Sequence, residues 1–327
     1  MKPQPRVASN MAAPLSPAIQ ACKTSMATSF CGLEFSSPLT NASGTFGTGY
    51  EFARITDVAA LGAITSKGLA PVAWEGNPGI RIAETPQGML NSIGLQNPGV
   101  DAFISNNLKA YRALVGSVPL IINVCGHEES DFAAVIRQLE ACPEVCAYEI
   151  NISCPNVDAG GMAFGTDAAT AARIIAGVRE LTERPLIAKL TPNVTDITPI
   201  ARAVVDAGAD AISLINTVLG MAIDARRRRP VLARGLGGLS GRAIKPVALR
   251  MVYEVSHAVD VPIIGMGGVS TGIDVAEFML AGASMVALGT ALFKDPQAPT
   301  RVLQELDSYC QEQGISQVSD LRGALLS

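Results

Sequence analysis

Cys154 stands in the run EINISCPN, Glu149 to Asn156, with Asn151 and Asn156 on either side and a proline following it. A thiol acts as a base or nucleophile when its pKa lies near working pH. The neighbouring amides can donate to and accept from a planar, amide-bearing substrate without changing its charge. Such a set suits proton removal by sulfur coupled to hydride transfer onto an electron carrier. Only two histidines compete for the base. His257 falls inside a helical pattern, and His127, near the end of a predicted strand, is a lesser candidate. Lys67 and Lys189 close two otherwise apolar runs, AITSKG and PLIAKL. A lone buried ammonium is costly, so Lys189 is expected to face an anion or an electron-rich ring. A flavin fits, because its reduced form carries negative charge near N1 that a fixed lysine stabilises. Lys67 could hold a carboxylate.

These residues need a scaffold that brings strand ends together. From Leu39 onward, short apolar runs alternate with longer amphipathic stretches. The runs fall at 38–43, 63–68, 119–124, 146–153, 185–190, 211–217, 261–268 and 285–290. Between them, segments such as 167–183 and 198–210 repeat apolar residues at three- and four-residue steps. Eight strand candidates joined by helical crossovers predict an α/β fold, a (β/α)8 TIM barrel. In such a barrel the chemistry gathers at the carboxyl ends of the strands. Those ends read Asn41-Ala-Ser43-Gly44, Ser66-Lys67-Gly68, Asn123, Asn151 to Asn156, Lys189, Asn216-Thr217, Gly265 to Gly268 and Gly289-Thr290. The glycines after the seventh and eighth strands offer bare backbone N–H groups for a phosphate. Two connections exceed simple turns: the segment after Cys154, and residues 218–246, which show no obvious secondary structure.

Composition narrows the function further. The 327 residues carry 25 basic and 29 acidic side chains, so no overall basic field invites nucleic acid. No apolar run approaches the length of a membrane span. The seven cysteines form an odd, irregular set without the paired spacings of a zinc or iron–sulfur site, which suggests thiols in a reducing cytoplasm. Residues 1–28 are rich in Pro, Ser and Ala and hold no acidic residue. They are expected to form a flexible tail ahead of one domain spanning 29–327.

From about Ser29 to the C-terminal helix, the chain resembles the dihydroorotate dehydrogenase family, and within it the class 1B catalytic subunits. The motifs that carry the likeness run in order: NASGTFG, TSKG, NSIGLQNPG, EINISCPN, SLINT, GGLSGRAIKPVALRMVYEV, IIGMGG and ALGTALF. The resemblance implies one FMN per chain and oxidation of dihydroorotate to orotate in pyrimidine biosynthesis. Cys154 matches the base that takes the C5 proton, while the C6 hydride goes to FMN. Ser43, Lys67, Gly68, Asn123, Asn151, Lys189, Ile215, Gly241, Gly267, Gly268, Gly289 and Thr290 match FMN contacts. Asn91, Ser92, Ile93, Gly94, Leu95, Asn151, Asn156, Asn216 and Thr217 match the orotate pocket, with Lys67 shared between the two ligands.

The class decides where electrons go. The quinone-linked class carries serine as base and adds an amphipathic N-terminal region, which residues 1–28 do not resemble. The fumarate-using class 1A shares the cysteine but typically has proline where this chain has Gln96. Dihydropyrimidine dehydrogenases typically have histidine where this chain has Asn156. Class 1B members work with a second subunit carrying FAD and a [2Fe–2S] cluster that reduces NAD. The resemblance therefore implies a homodimer of this chain joined to that subunit as a heterotetramer. No GxGxxG motif and no ferredoxin cysteine spacing occurs in this chain, consistent with a division of labour.

Overall fold

The computed structural model describes residues 15–153 and 164–326. Its centre is an eight-stranded parallel sheet rolled into a barrel. The staves are β1 (Leu39–Asn41), β2 (Ile64–Thr65), β3 (Leu120–Val124), β4 (Val145–Asn151), β5 (Leu186–Lys189), β6 (Ala211–Leu214), β7 (Ile263–Met266) and β8 (Met285–Leu288). Each overlaps one of the eight runs expected from the sequence. Neighbours in the barrel are neighbours in the chain, and β8 pairs back onto β1.

The helices that cross between staves are α1 (Leu108–Leu114), α2 (Glu129–Leu139), α3 (Ala168–Arg179), α4 (Thr198–Asp206), α5 (Lys245–Ala258) and α6 (Gly272–Leu280). Helix α7 (Ala298–Glu312) packs beside α6. Their starts are set locally. Asp167 accepts from the Thr170 N–H ahead of α3, Thr271 and Asp274 form a capping box on α6, and prolines stand at the first turns of α4, α5 and α7.

Because helices cover the outer face and the barrel encloses the inner one, the strands are buried on both sides and read as continuous apolar runs. Alternation survives in where each side chain goes. On β3, Leu120, Ile122 and Val124 join the core under the helices, whereas Ile121 joins the barrel interior. The lower interior is apolar: Ile121, Ala147, Ile187, Ala211, Ile264 and Met285 pack with Phe30 and Phe35. Those two rings, 6.4 Å apart and edge to face, belong to a hairpin, Thr28–Phe30 with Leu33–Phe35, that stoppers this end. Register then lifts the next inward positions, Asn123, Glu149 and Lys189, toward the carboxyl end.

One seam lacks a strand ladder. Between β1 and β2 the Asn41 side chain substitutes for backbone: its Nδ2 donates to the Thr65 carbonyl at 2.7 Å and its Oδ1 accepts from the Thr65 N–H at 2.9 Å. Asn41, one of the polar residues at the strand ends, thus serves the seam. Both its polar atoms are committed to closing the barrel.

Two expectations change. Residues 15–28 do not behave as a flexible tail: Pro17–Gln20 is a short helix, Thr24 donates its N–H to Asp307 at 2.8 Å, and Met26 is buried. The Asp307 carboxylate, on a helix far along the chain, holds this stretch, while residues 1–14 of the expected tail lie outside the described residues. The 218–246 connection is not structureless either. Val218–Met221 and Leu236–Ser240 pair antiparallel and extend through Gly88–Asn91 to Ile82–Thr85, giving a four-stranded sheet.

Asn41→Ala should destabilise the fold by about 2–5 kcal/mol, since it strands a buried N–H and a buried C=O, each costing roughly 1–3 kcal/mol unpaired. Urea unfolding at matched conditions measures this, and a change below about 0.5 kcal/mol would show that the amide does not close the seam.

Candidate active site

The carboxyl ends of the staves and the four-stranded sheet enclose a cavity of about 410 Å³. It is walled by the residues expected to hold the cofactor: Ser43, Lys67, Gly68, Asn123, Asn151, Lys189, Ile215, Gly241, Gly267, Gly268, Gly289 and Thr290. Asn91, Ser92, Ile93, Gly94, Leu95, Asn216 and Thr217, expected on the substrate side, line the same space. Cys154 and Asn156 lie outside the described residues. His127 is exposed and sits away from this cavity, edge-on to Trp74 with ring centroids 4.0 Å apart.

Each wall has a local cause. The Asn91–Leu95 segment leaves the four-stranded sheet and is pinned by Asn77, whose N–H donates to the Ile93 carbonyl at 3.0 Å and whose Nδ2 donates to the Ser92 carbonyl at 2.9 Å. Gly267 and Gly268 follow β7 with φ of 130° and 81°, a backbone region that L side chains rarely adopt. At Gly289 the reason is space instead. An added Cβ would meet only the Ala42 Cβ, at 3.5 Å, so the remaining room belongs to the cavity. The N–H groups of Gly267, Gly268 and Gly289 donate to no acceptor among the described residues. Thr290 donates its hydroxyl to Ser240 at 2.9 Å, tying the last strand end to the sheet that roofs the site.

Two cations face the space with different support. The Lys189 side chain is 4% exposed; its Nζ donates to Ser43 Oγ at 2.8 Å and lies 3.5 Å from Glu149 Oε2. The anion expected for Lys189 thus includes one from this chain. Glu149 is buried as well, and accepts from Asn123 Nδ2 at 2.5 Å and Ser213 Oγ at 2.7 Å. Asn151 Nδ2 donates to Asn123 Oδ1 at 3.3 Å, Ser153 Oγ donates to Asn151 Oδ1 at 2.7 Å, and Asn216 Nδ2 donates to Ser153 Oγ at 2.6 Å.

Lys67 has no carboxylate partner among the described residues. Burial, and then the nearby Arg81 guanidinium, hold its ammonium below the ordinary lysine range, with Cys125 opposing them. A half-buried cation without a counterion is a ready seat for a ligand carboxylate. The Ser92 hydroxyl points to the same conclusion: it is buried against the cavity wall with no hydrogen-bond partner among the described residues. The cavity accordingly offers a cation and an unpaired hydroxyl to an anionic, polar ligand.

Sequence reasoning passed over Glu149, Ser213, Ser240 and Phe293. Glu149 had a legible signal, an acid inside an apolar strand, but its partners stand on β3, β5 and β6. Ser240 lies in the GLSG motif, whose role in the cavity wall depended on the unforeseen sheet.

The sequence model of the dihydroorotate dehydrogenase family matches residues 25–310. A protein of Alkaliphilus metalliredigens named dihydroorotate dehydrogenase B (NAD(+)), catalytic subunit, is 51% identical over 303 residues, covering 93% of this chain and 99% of its own. Proteins of the same name from Geotalea uraniireducens and Geobacter sulfurreducens are each 50% identical, over 305 and 303 residues, with the same coverage.

The lowered Lys67 pKa sets a pH dependence. Binding a carboxylate requires the charged ammonium, so affinity is full below the free protein's Lys67 pKa and falls as pH rises through it. That loss should begin at lower pH than an ordinary lysine allows. Orotate titrations by calorimetry across alkaline pH should show it for the wild type and not for Lys67→Arg, which stays charged. Identical profiles for the two proteins would remove Lys67 from carboxylate binding.

Proposed function

Because the chain belongs to the dihydroorotate dehydrogenase family, we propose that it is the FMN-bearing catalytic subunit of an NAD-linked dihydroorotate dehydrogenase. The carrying observation is the single cavity in which Lys67, Lys189, the pocket asparagines and the glycine loops after β7 and β8 meet. Those glycines, together with Thr290, would hold the FMN phosphate, and Lys189 would stand against the pyrimidine end of the flavin ring. Lys67 would pair with the dihydroorotate carboxylate, and Ser92, Asn91 and Asn216 would meet its ring carbonyls and amides.

Bound flavin supplies the acceptor for the hydride that leaves C6. This chain supplies the rest. The asparagines hold the ring flat and in one orientation, which converts substrate binding into alignment of the C5 and C6 hydrogens. Cys154, in the motif that continues from β4, would remove the C5 proton as a general base. The Lys189 ammonium favours the more negative, reduced flavin electrostatically.

The relatives' name, catalytic subunit, supports a partner that takes the electrons on. In this reading the partner carries FAD and a [2Fe–2S] cluster and delivers electrons to NAD, and two copies of this chain join two of the partner. Among the described residues no helix is long and apolar enough to cross a membrane, and the reading places the enzyme in the cytoplasm.

Cys154→Ser should retain FMN and orotate while reducing its flavin about 10²–10⁴-fold more slowly near neutral pH, because a hydroxyl is a poorer base than a thiol. Anaerobic stopped-flow with dihydroorotate reads this rate, and reduction at the wild-type rate would remove Cys154 from the chemistry. The isolated chain should turn over with artificial acceptors yet reduce NAD poorly until the FAD and iron–sulfur subunit is added. Full-rate NAD reduction by the chain alone would overturn the assignment of a partner, and efficient fumarate reduction would assign it to class 1A instead.

A further inference from the structure

The hydrogen bonds around the cavity share one direction. Asn216 donates to Ser153, Ser153 to Asn151, Asn151 to Asn123, and Asn123 to Glu149. Ser213 donates to the other oxygen of Glu149, and the Lys189 ammonium completes the set at 3.5 Å. Every path ends on this carboxylate. An ionised carboxylate only accepts, whereas an amide can present either its oxygen or its NH₂. Left to themselves, the pocket asparagines could be turned over without losing their number of hydrogen bonds.

Resting on the flavin reading above, we infer that Glu149 is a positioning residue with two effects on the site. As the terminal acceptor, it fixes the orientation of Asn123 and Asn151, so that their spare N–H groups remain available to ligand carbonyls. As a buried negative charge, it offsets Lys189 and tempers how strongly that lysine favours reduced flavin. Removing either partner of a buried ion pair leaves the other charge uncompensated. The loss of Glu149 therefore exposes the flavin to an unopposed ammonium.

Glu149→Gln separates these effects from mere packing, because it matches the native side chain in size. Its amide can donate to Ser213, whose hydroxyl can turn to accept, while its carbonyl still accepts from Asn123. The negative charge disappears, and the amide orientations are no longer dictated. Spectroelectrochemical titration of the full chain with its flavin should show the midpoint potential of the Gln variant displaced upward. The shift should correspond to roughly a tenfold change in the reduced-to-oxidised ratio. Orotate affinity measured by calorimetry should fall, also by roughly tenfold, the equivalent of one lost hydrogen bond. Glu149→Asp keeps the charge and should stay near the wild-type potential, a rescue that a packing role would not produce.

A wild-type chain that holds no flavin would overturn the flavin reading and this inference with it. A flavin-bearing wild type whose Gln variant matches it in both potential and orotate affinity would overturn this inference alone. If the Gln variant does not fold, Ser213→Ala takes its place, since it frees one carboxylate oxygen without altering charge. Orotate should then bind more weakly by a smaller factor, and unchanged affinity would count against Glu149 as the anchor.

Discussion

A ring of eight strands must close, and in this chain the closing seam rests on the Asn41 side chain together with a backbone bond from the Gly62 N–H to the Leu39 carbonyl at 2.8 Å. Elsewhere around the barrel, backbone N–H and C=O groups pair across each seam. Between β1 and β2 the Asn41 amide makes the equivalent two bonds to Thr65. The cavity depends on that seam because Ser43 and Gly44 continue from one stave, and Lys67 and Gly68 from the other. If the staves separated, the Ser43 hydroxyl and the Lys67 ammonium would no longer face a common space. The closing bonds are also shielded from water, where a lost hydrogen bond leaves an unsolvated polar group behind.

Electrostatics in the site follow from the pleat. Inward positions recur every second residue, so each stave offers one or two side chains to the interior before it ends. Low in the barrel these are apolar. One layer higher they become Asn123, Glu149, Lys189 and Ser213, all within the depth of a few residues. The carboxylate and the ammonium there each have further hydrogen-bond partners, Asn123 and Ser213 on one side and Ser43 on the other. Lys67 differs in having none among the described residues, which makes it receptive to a ligand's charge rather than to the protein's own.

Much of this was legible in the sequence, for identifiable reasons. Parallel barrel strands are covered on both faces, so they appear as plain apolar runs, and the eight runs locate the eight staves. Strand ends carry the polar residues that line the cavity, so reading those ends in order finds Ser43, Lys67, Asn123, Asn151, Lys189 and Asn216. The four-stranded sheet was hidden because Leu236–Ser240 contains two glycines, which blur alternation, and because its partner strand lies far back in the chain. The part Asn41 plays in the seam was not legible, because residue type alone cannot tell an amide that binds a ligand from one that replaces backbone. Glu149 stood out as an acid in an apolar strand, but its meaning required partners on other staves, supplied only by register. The packing of residues 15–28 was likewise invisible, since the Asp307 that holds them is nearly three hundred residues away.

The hairpin at the far end of the barrel has a consequence for how the floor and the mouth answer to change. Phe30 and Phe35 are almost wholly buried among the apolar residues of the floor, so the hairpin works as a cork built from a segment outside the eight staves. The floor and the mouth are thereby made by different parts of the chain. A substitution in the cork acts on the packing of the floor, while the polar residues at the strand ends keep their own supports.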